Sequence, residues 1–175
     1  LVVLAVAIAG ALPAQWRTGL IAERFHRDDI PDAWTEVGQH LDAGEGRVLE
    51  IPGIDFASYR WGHTLDPVSV GLTERSVLAR ELVPMGGSPG VSLLAALDRS
   101  MQEGTFEPAS LAVVARLLGA SDVLVRNDLE YERYRTVRPA RLWPMLVDDE
   151  TGLDPPVTFG PRVPNRAVPD RPMID

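Results

Sequence analysis

The sequence predicts an α/β domain, a small sheet with helices packed on it. Two segments read as a helix, a glycine and then a short apolar strand: 31–42 into 47–51, and 108–119 into 122–126. A further amphipathic helix, 91–103, lies between them with Leu93, Leu94, Leu97 and Met101 on one stripe. A chain of 175 residues also suits one domain with a real hydrophobic core.

The first fourteen residues, LVVLAVAIAGALPA, carry no charge. Crossing a bilayer takes about 20 apolar residues, so the run is short as it stands. It is read as the end of a transmembrane helix, 1–16, with Trp16 and Arg17 as the aromatic and cationic anchor where the helix leaves the membrane. The alternatives are a signal peptide, which would lack its basic start, and a buried core helix. Residues 17–30 are mixed and charged, a juxtamembrane linker.

The α/β domain is expected over 31–150. Its first helix has Pro31 in the first turn, Asp32 and Glu36 early, and Ala33, Trp34, Val37 and Leu41 along one side. Gly44 and Gly46 end it, and Val48, Leu49 and Ile51 make the strand that follows. Residues 72–83 show no decisive period. MGGSPG, 85–90, reads as a glycine-rich turn and lacks the lysine and hydroxyl residue of a phosphate loop. Gly104 stops the 91–103 helix. Pro108 opens the next, with Leu111, Ala112, Ala115 and Leu118 apolar and Gly119 as its stop. The strand 122–126 is mostly apolar, as in the interior of a sheet. Beyond it arginines interleave with Tyr131, Tyr134 and Trp143, and 137–146 is expected to hold a strand broken by Pro139 and Pro144. The tail, 151–175, is rich in proline (Pro155, Pro156, Pro161, Pro164, Pro169, Pro172) and reads as a linker or a strap.

The formal net charge is −8, and all seventeen cations are arginine. The acidic balance weighs against nucleic acid as a partner. With no cysteine there is no disulfide, thiolate or cysteine-zinc chemistry. His26, His40 and His63 lack metal-ligand spacing, and the acidic pairs near 28 and 148 lack that of a calcium loop. Hydrolase and NTPase motifs are absent.

Chemistry-bearing residues concentrate in two places. Tyr59, Trp61, His63 and Asp66 fall within eight residues after Pro52-Gly53, and such a mixture of aromatic faces and polar handles suits a sugar or other polar ligand. The same cluster also reads as a loop docking on its own domain, with Asp66 forming a turn before Pro67. Arg126 and Asp128 follow a buried strand, where α/β domains bind ligands; a strand-end ion pair is the competing reading.

Taken in order, Ser58–Pro67 (SYRWGHTLDP), Arg80–Gly90 (RELVPMGGSPG), Leu97-Asp98, Leu117–Gly119 and Val123–Asp128 (VLVRND) make the chain similar to a known family. It resembles the extracytoplasmic segment of the actinobacterial α-(1→3)-arabinofuranosyltransferases, membrane enzymes of the GT-C type. The resemblance covers about 31–128 well and the tail loosely. It implies transfer of arabinofuranose from a polyprenyl-phosphate donor to cell-wall arabinan outside the cell membrane, with no cofactor expected in this segment. The family's catalytic carboxylate sits in an earlier extracytoplasmic loop, so no catalytic residue is assigned and this piece alone is expected to be inactive. Tyr59, Trp61, His63, Asp66, Arg126 and Asp128 become candidate substrate contacts, unless the segment only braces the membrane domain. A secreted, non-catalytic envelope scaffold is the alternative.

Overall fold

The computed structural model describes residues 30–81, 87–134, 136–147 and 151–164. The expected transmembrane end and juxtamembrane linker, and the tail beyond 164, lie outside them. Among the described residues no helix is long and apolar enough to cross a membrane.

Helix α1 (Asp32–Asp42) follows Pro31 and buries Trp34, Val37, Gly38 and Leu41, one stripe at helical spacing. Strand β1 (Arg47–Ile51) comes next, then a hairpin of β2 (Ala57–Ser58) and β3 (His63–Leu65). A 3₁₀ turn (Val68–Gly71) leads to β4 (Val77–Leu78). Helix α2 (Ser88–Glu103), a second 3₁₀ turn (Pro108–Ser110), α3 (Leu111–Leu117), β5 (Ala120–Val125) and α4 (Pro139–Leu146) complete the order.

The main sheet runs β4-β1-β5, and both pairings with β1 are parallel. Parallel neighbours need long crossovers, which the helices supply. Alternation along β1 separates two cores. Leu49 and Ile51 join Leu97, Met101, Leu111 and Leu142 of α2, α3 and α4 on one face. Val48 joins Trp34, Val37 and Leu41 of α1 on the other. The domain is therefore a helix–sheet–helix sandwich, since a sheet with two apolar faces needs cover on both.

Two expectations change. Residues 139–146 form a helix rather than a broken strand: Pro139 sits in the first turn, where its missing N–H costs nothing, and Leu142 and Leu146, one turn apart, are buried. The Pro144 ring is carried inside the helix because that apolar face outweighs the lost backbone bond. The turn expected at 85–90 ends earlier: Gly87 caps α2, and Ser88-Pro89-Gly90 is its first turn. Gly104 ends α2 in the left-handed region, at φ 73°, as glycine does without strain.

Arg75 staples the N-terminal end of the sheet. It donates to the carbonyls of Leu41 (2.7 Å) and Gly46 (3.1 Å) and pairs with Asp122 at 2.7 Å. Residues 152–164 carry no helix or strand. They pass from Ala112 of α3, next to Gly152, to α1, where Phe159 lies 5.3 Å from the His40 ring and packs on the α1 core.

Candidate functional site

Strands β1 and β5 end level at Ile51 and Val125, and β4 stops two residues short, with Leu78 opposite Leu49. The chain goes from β1 to β4 on one side and returns to β5 on the other, so the strand order reverses between β1 and β5. In open α/β sheets that crevice is the usual ligand site. Here the chain fills it with its own side chains.

Arg126, the first residue after β5, enters the crevice and is 2% exposed. Its guanidinium pairs with Glu50, also buried, and donates to the carbonyl of Pro52. The second Glu50 oxygen accepts from the Ser69 hydroxyl. A buried pair is helped when its remaining valences are met; Ser69 meets one on Glu50 and Pro52 one on Arg126, while the Arg126 Nε has no hydrogen-bond partner among the described residues. Arg126 is thus the strand-end ion pair. Tyr59 lies against this pair, 1% exposed, and its hydroxyl accepts from the Val68 N–H at 3.1 Å. Burial pushes the hydroxyl up to about 12, with Arg126 acting the other way.

The hairpin is held down by backbone pairing. Tyr59 bridges Leu129 antiparallel, Arg60 N–H donates to Asp128 O at 2.7 Å and Glu130 N–H to Ser58 O at 2.9 Å. One Asp128 oxygen accepts both the Trp34 and the Trp61 indole N–H, each at 2.8 Å. Between them Tyr59 stacks on Trp61 (4.7 Å, 14°) and meets Trp34 edge-on (5.5 Å, 73°). Tyr59, Trp61, Arg126 and Asp128 therefore come together as the clamp that seats the hairpin. Tyr59 and Arg126 are buried, whereas Trp61 and Asp128, both half-buried, keep surface toward solvent.

His63 and Asp66 stand apart from this clamp, on the rim. His63 is half-buried, its Nε2 3.5 Å from the Tyr134 hydroxyl. Asp66 is exposed, and its backbone closes a turn with Thr64, whose hydroxyl donates to Asp66 O at 2.6 Å. The Asp66 carboxylate also acts on Glu81. Partial burial, then Asp66, then Glu50, lift the Glu81 carboxyl above its ordinary 4.5. Below pH 4.5 Glu81 is protonated in both folded and unfolded chains and contributes nothing. Above that value the unfolded chain ionises first, so a cost builds and is complete above the folded value. Glu81→Gln is therefore expected to raise Tm at pH 7 by a few degrees at most, with the gain vanishing below pH 4.5. Thermal melts of both forms across that range check it, and a gain that persists at low pH contradicts it.

At the β4 side, Asp98 of α2 accepts from Gly53 N–H (2.8 Å) and Gln102 (3.0 Å) and pairs with Arg80 (2.8 Å), which reaches on to Asp55 (2.6 Å). Burial raises the Asp98 carboxyl, with Arg80 and the Gly53 N–H opposing. Gly53 allows this closeness, since a Cβ there would lie 2.7 Å from Arg80 Cβ. Among the described residues no grouping of three or more His, Asp or Glu could hold a metal ion.

Sequence reasoning missed Trp34, Glu50 and Ser69 as partners of the clamp. It noticed Tyr134 among its arginines without assigning it. Phe56, 39% exposed, lies 5.8 Å from the Tyr134 ring and had no signal beyond being aromatic.

The family model described as "Alpha-(1->3)-arabinofuranosyltransferase, N-terminal GT-C domain" matches residues 1–175. An alpha-(1->3)-arabinofuranosyltransferase of Mycolicibacterium smegmatis is 31% identical over 134 residues, 75% of this chain and 9% of that protein. One from Mycobacterium tuberculosis is 32% identical over 133 residues, 76% of this chain and 9% of its own length. The cryo-EM structure of arabinofuranosyltransferase AftD from mycobacteria aligns with a TM-score of 0.73 at 29% identity, over 96% of this chain and 13% of that one. A mutant form of the same enzyme gives 0.73 at 28% identity, over 99% and 14%. The chain thus spans about a tenth of the length of the relatives it matches. With the family model matched along its whole length and two relatives above 30% identity over three quarters of it, the chain belongs to the alpha-(1->3)-arabinofuranosyltransferase family, within the N-terminal GT-C domain.

Proposed function

We propose that this chain is part of a membrane arabinofuranosyltransferase that moves arabinofuranose from a polyprenyl-phosphate donor to cell-wall arabinan, and that it works on the extracytoplasmic side. The chemistry of transfer lies with a carboxylate elsewhere in the full-length protein, and the domain described here positions and braces. The observation that carries the division of labour is the double indole bond to Asp128. It turns the β2–β3 hairpin into a rigid extension of the sheet, so the rim residues His63 and Asp66 and the open side of Trp61 are presented at fixed height. Tyr59, Arg126 and Asp128 act through this rigidity and not by touching sugar. Trp61 and His63 supply an aromatic face and a hydrogen-bonding group, and Asp66 a carboxylate suited to sugar hydroxyls.

The full-length protein in membranes, assayed for transfer from a polyprenyl-phosphate donor, tests this. His63→Ala and Asp66→Asn are expected to raise a substrate KM by about three- to tenfold, one hydrogen bond's worth, at unchanged Tm. Trp61→Ala is expected to lower Tm as well, because it also opens the clamp. Rim variants that leave both KM values untouched reduce the segment to a brace. An intact protein that transfers nothing removes the enzyme reading and leaves a non-catalytic envelope scaffold.

A further inference from the structure

A second aromatic surface lies beside the clamp and is not used by it. The turn at 131–134 folds back over the hairpin after the Tyr59–Leu129 bridge and brings Tyr134 onto Phe56, with centroids 5.8 Å apart and planes 49° apart. His63 closes one side through the Tyr134 hydroxyl, and the Arg133 guanidinium stands 5.7 Å over the Tyr134 ring on another. Phe56 is exposed, and Tyr134, His63 and Arg133 are partly so. An exposed phenylalanine that stacks on a neighbour instead of entering the core leaves a flat apolar face in water, and the two tilted rings make a shallow V.

The charges around this V decide what it takes. Arg60 is bound to Glu132 at 2.8 Å, and Arg133 lies 3.9 Å from Glu130. Both of these cations have a carboxylate within 4 Å, in a chain of formal net charge −8. A phosphate arriving here meets compensated arginines, whereas phosphate recognition uses arginines free to fork onto the anion. A neutral, polyhydroxylated ring needs only an apolar face for its C–H side and polar groups at the edge, here His63 and the Tyr134 hydroxyl.

We propose that Phe56 and Tyr134, edged by His63 and Arg133, bind a neutral furanosyl chain, the glycan acceptor and not the lipid-phosphate donor. The assignment rests on the transferase reading above and adds to it a site and a substrate. Because the platform lies on the surface, Phe56→Ala leaves both buried cores intact and Phe56→Tyr keeps the stacking face.

The intact membrane protein in nanodiscs is tested with a short linear arabinofuranose oligosaccharide, by direct binding and as acceptor. Phe56→Ala and Tyr134→Ala are expected to weaken oligosaccharide binding and raise the acceptor KM by about three- to tenfold, with donor KM unmoved; Phe56→Tyr restores both. A rise in donor KM alone places the lipid phosphate on this surface and overturns the proposal. Unchanged binding and KM in both alanine variants overturns it while leaving the transferase reading standing. A wild-type protein that transfers nothing sinks the transferase reading. The binding arm then judges the platform alone: wild-type binding that Phe56→Ala loses supports it, and none in the wild type ends it.

Discussion

Replacing Arg126 with methionine is expected to lower folding stability by about 3–5 kcal/mol, the largest single effect available in this domain. The reason is less the lost attraction than what remains. Glu50 and Arg126 both have side-chain exposures of 0%, so the variant leaves a carboxylate in the interior with only the Ser69 hydroxyl to face it. The Pro52 carbonyl loses its donor at the same time. Glu50→Gln should cost less, since an amide keeps a polar contact to Arg126 and Ser69 without carrying charge. The double replacement Glu50→Met with Arg126→Met should recover much of the loss, because two apolar chains of similar size need no counter-charge. Chemical denaturation of the wild type, Arg126→Met, Glu50→Met and the double variant gives the coupling energy. Additive losses, with the double variant as poor as the sum, would mean that the pair is not the unit the geometry makes it.

Asp128→Ala is expected to cost about 2–4 kcal/mol, because two indole N–H groups lose one shared acceptor and each unmet buried donor costs about 1–3 kcal/mol. Trp34, 6% exposed, cannot turn to water; Trp61, half-buried, can do so in part. Asp128→Asn retains a carbonyl oxygen in the same place and should lose only about 1 kcal/mol, the difference between a charged and a neutral acceptor. The ranking is the test. Equal losses for alanine and asparagine would assign the effect to charge and not to the two bonds. Hydrogen exchange at the Arg60 amide, which donates to the Asp128 carbonyl, should quicken in the alanine variant before the sheet amides do, because the hairpin is released first.

The layer architecture was readable because it rests on local signals. Trp34, Val37 and Leu41 recur at helical spacing, and glycines separate each helix from its strand. The 137–146 segment misled because proline reads as a breaker in either element, and only the packing of Leu142 and Leu146 shows which element surrounds it. Strand β4, two residues long inside an unpatterned stretch, leaves too short a trace for a period. The candidate residues were found for a chemical reason, aromatic and charged groups crowded into one loop, and that signal does not say which way a side chain turns. Glu50 looks like the solvent-facing member of an alternating strand, yet it lies on the buried α1 face with Val48. Its partner is Arg126, and Asp128 meets Trp34 94 residues away. Such pairings exist only once the sheet has formed.

The distance along the chain between the two sides of that crevice has a consequence for biosynthesis. Pro52 and the arginine that caps its carbonyl are 74 residues apart. A ribosome adding ~5–20 residues per second needs about 4–15 s to supply the second after the first. During that interval the central strand has at most the two-residue β4 beside it, and Glu50 has no counter-charge. A carboxylate without its partner resists burial, so the half-made domain stays open and keeps a strand edge unpaired. The ion pair forms only when Arg126 arrives, and the core on the α2–α4 face is completed after it, by Leu142 and Leu146. A pause in translation between Pro52 and Arg126 exposes a nascent chain to chaperones, proteases and neighbouring strands, and slow codons there should lower the yield of folded protein more than slow codons placed after 126.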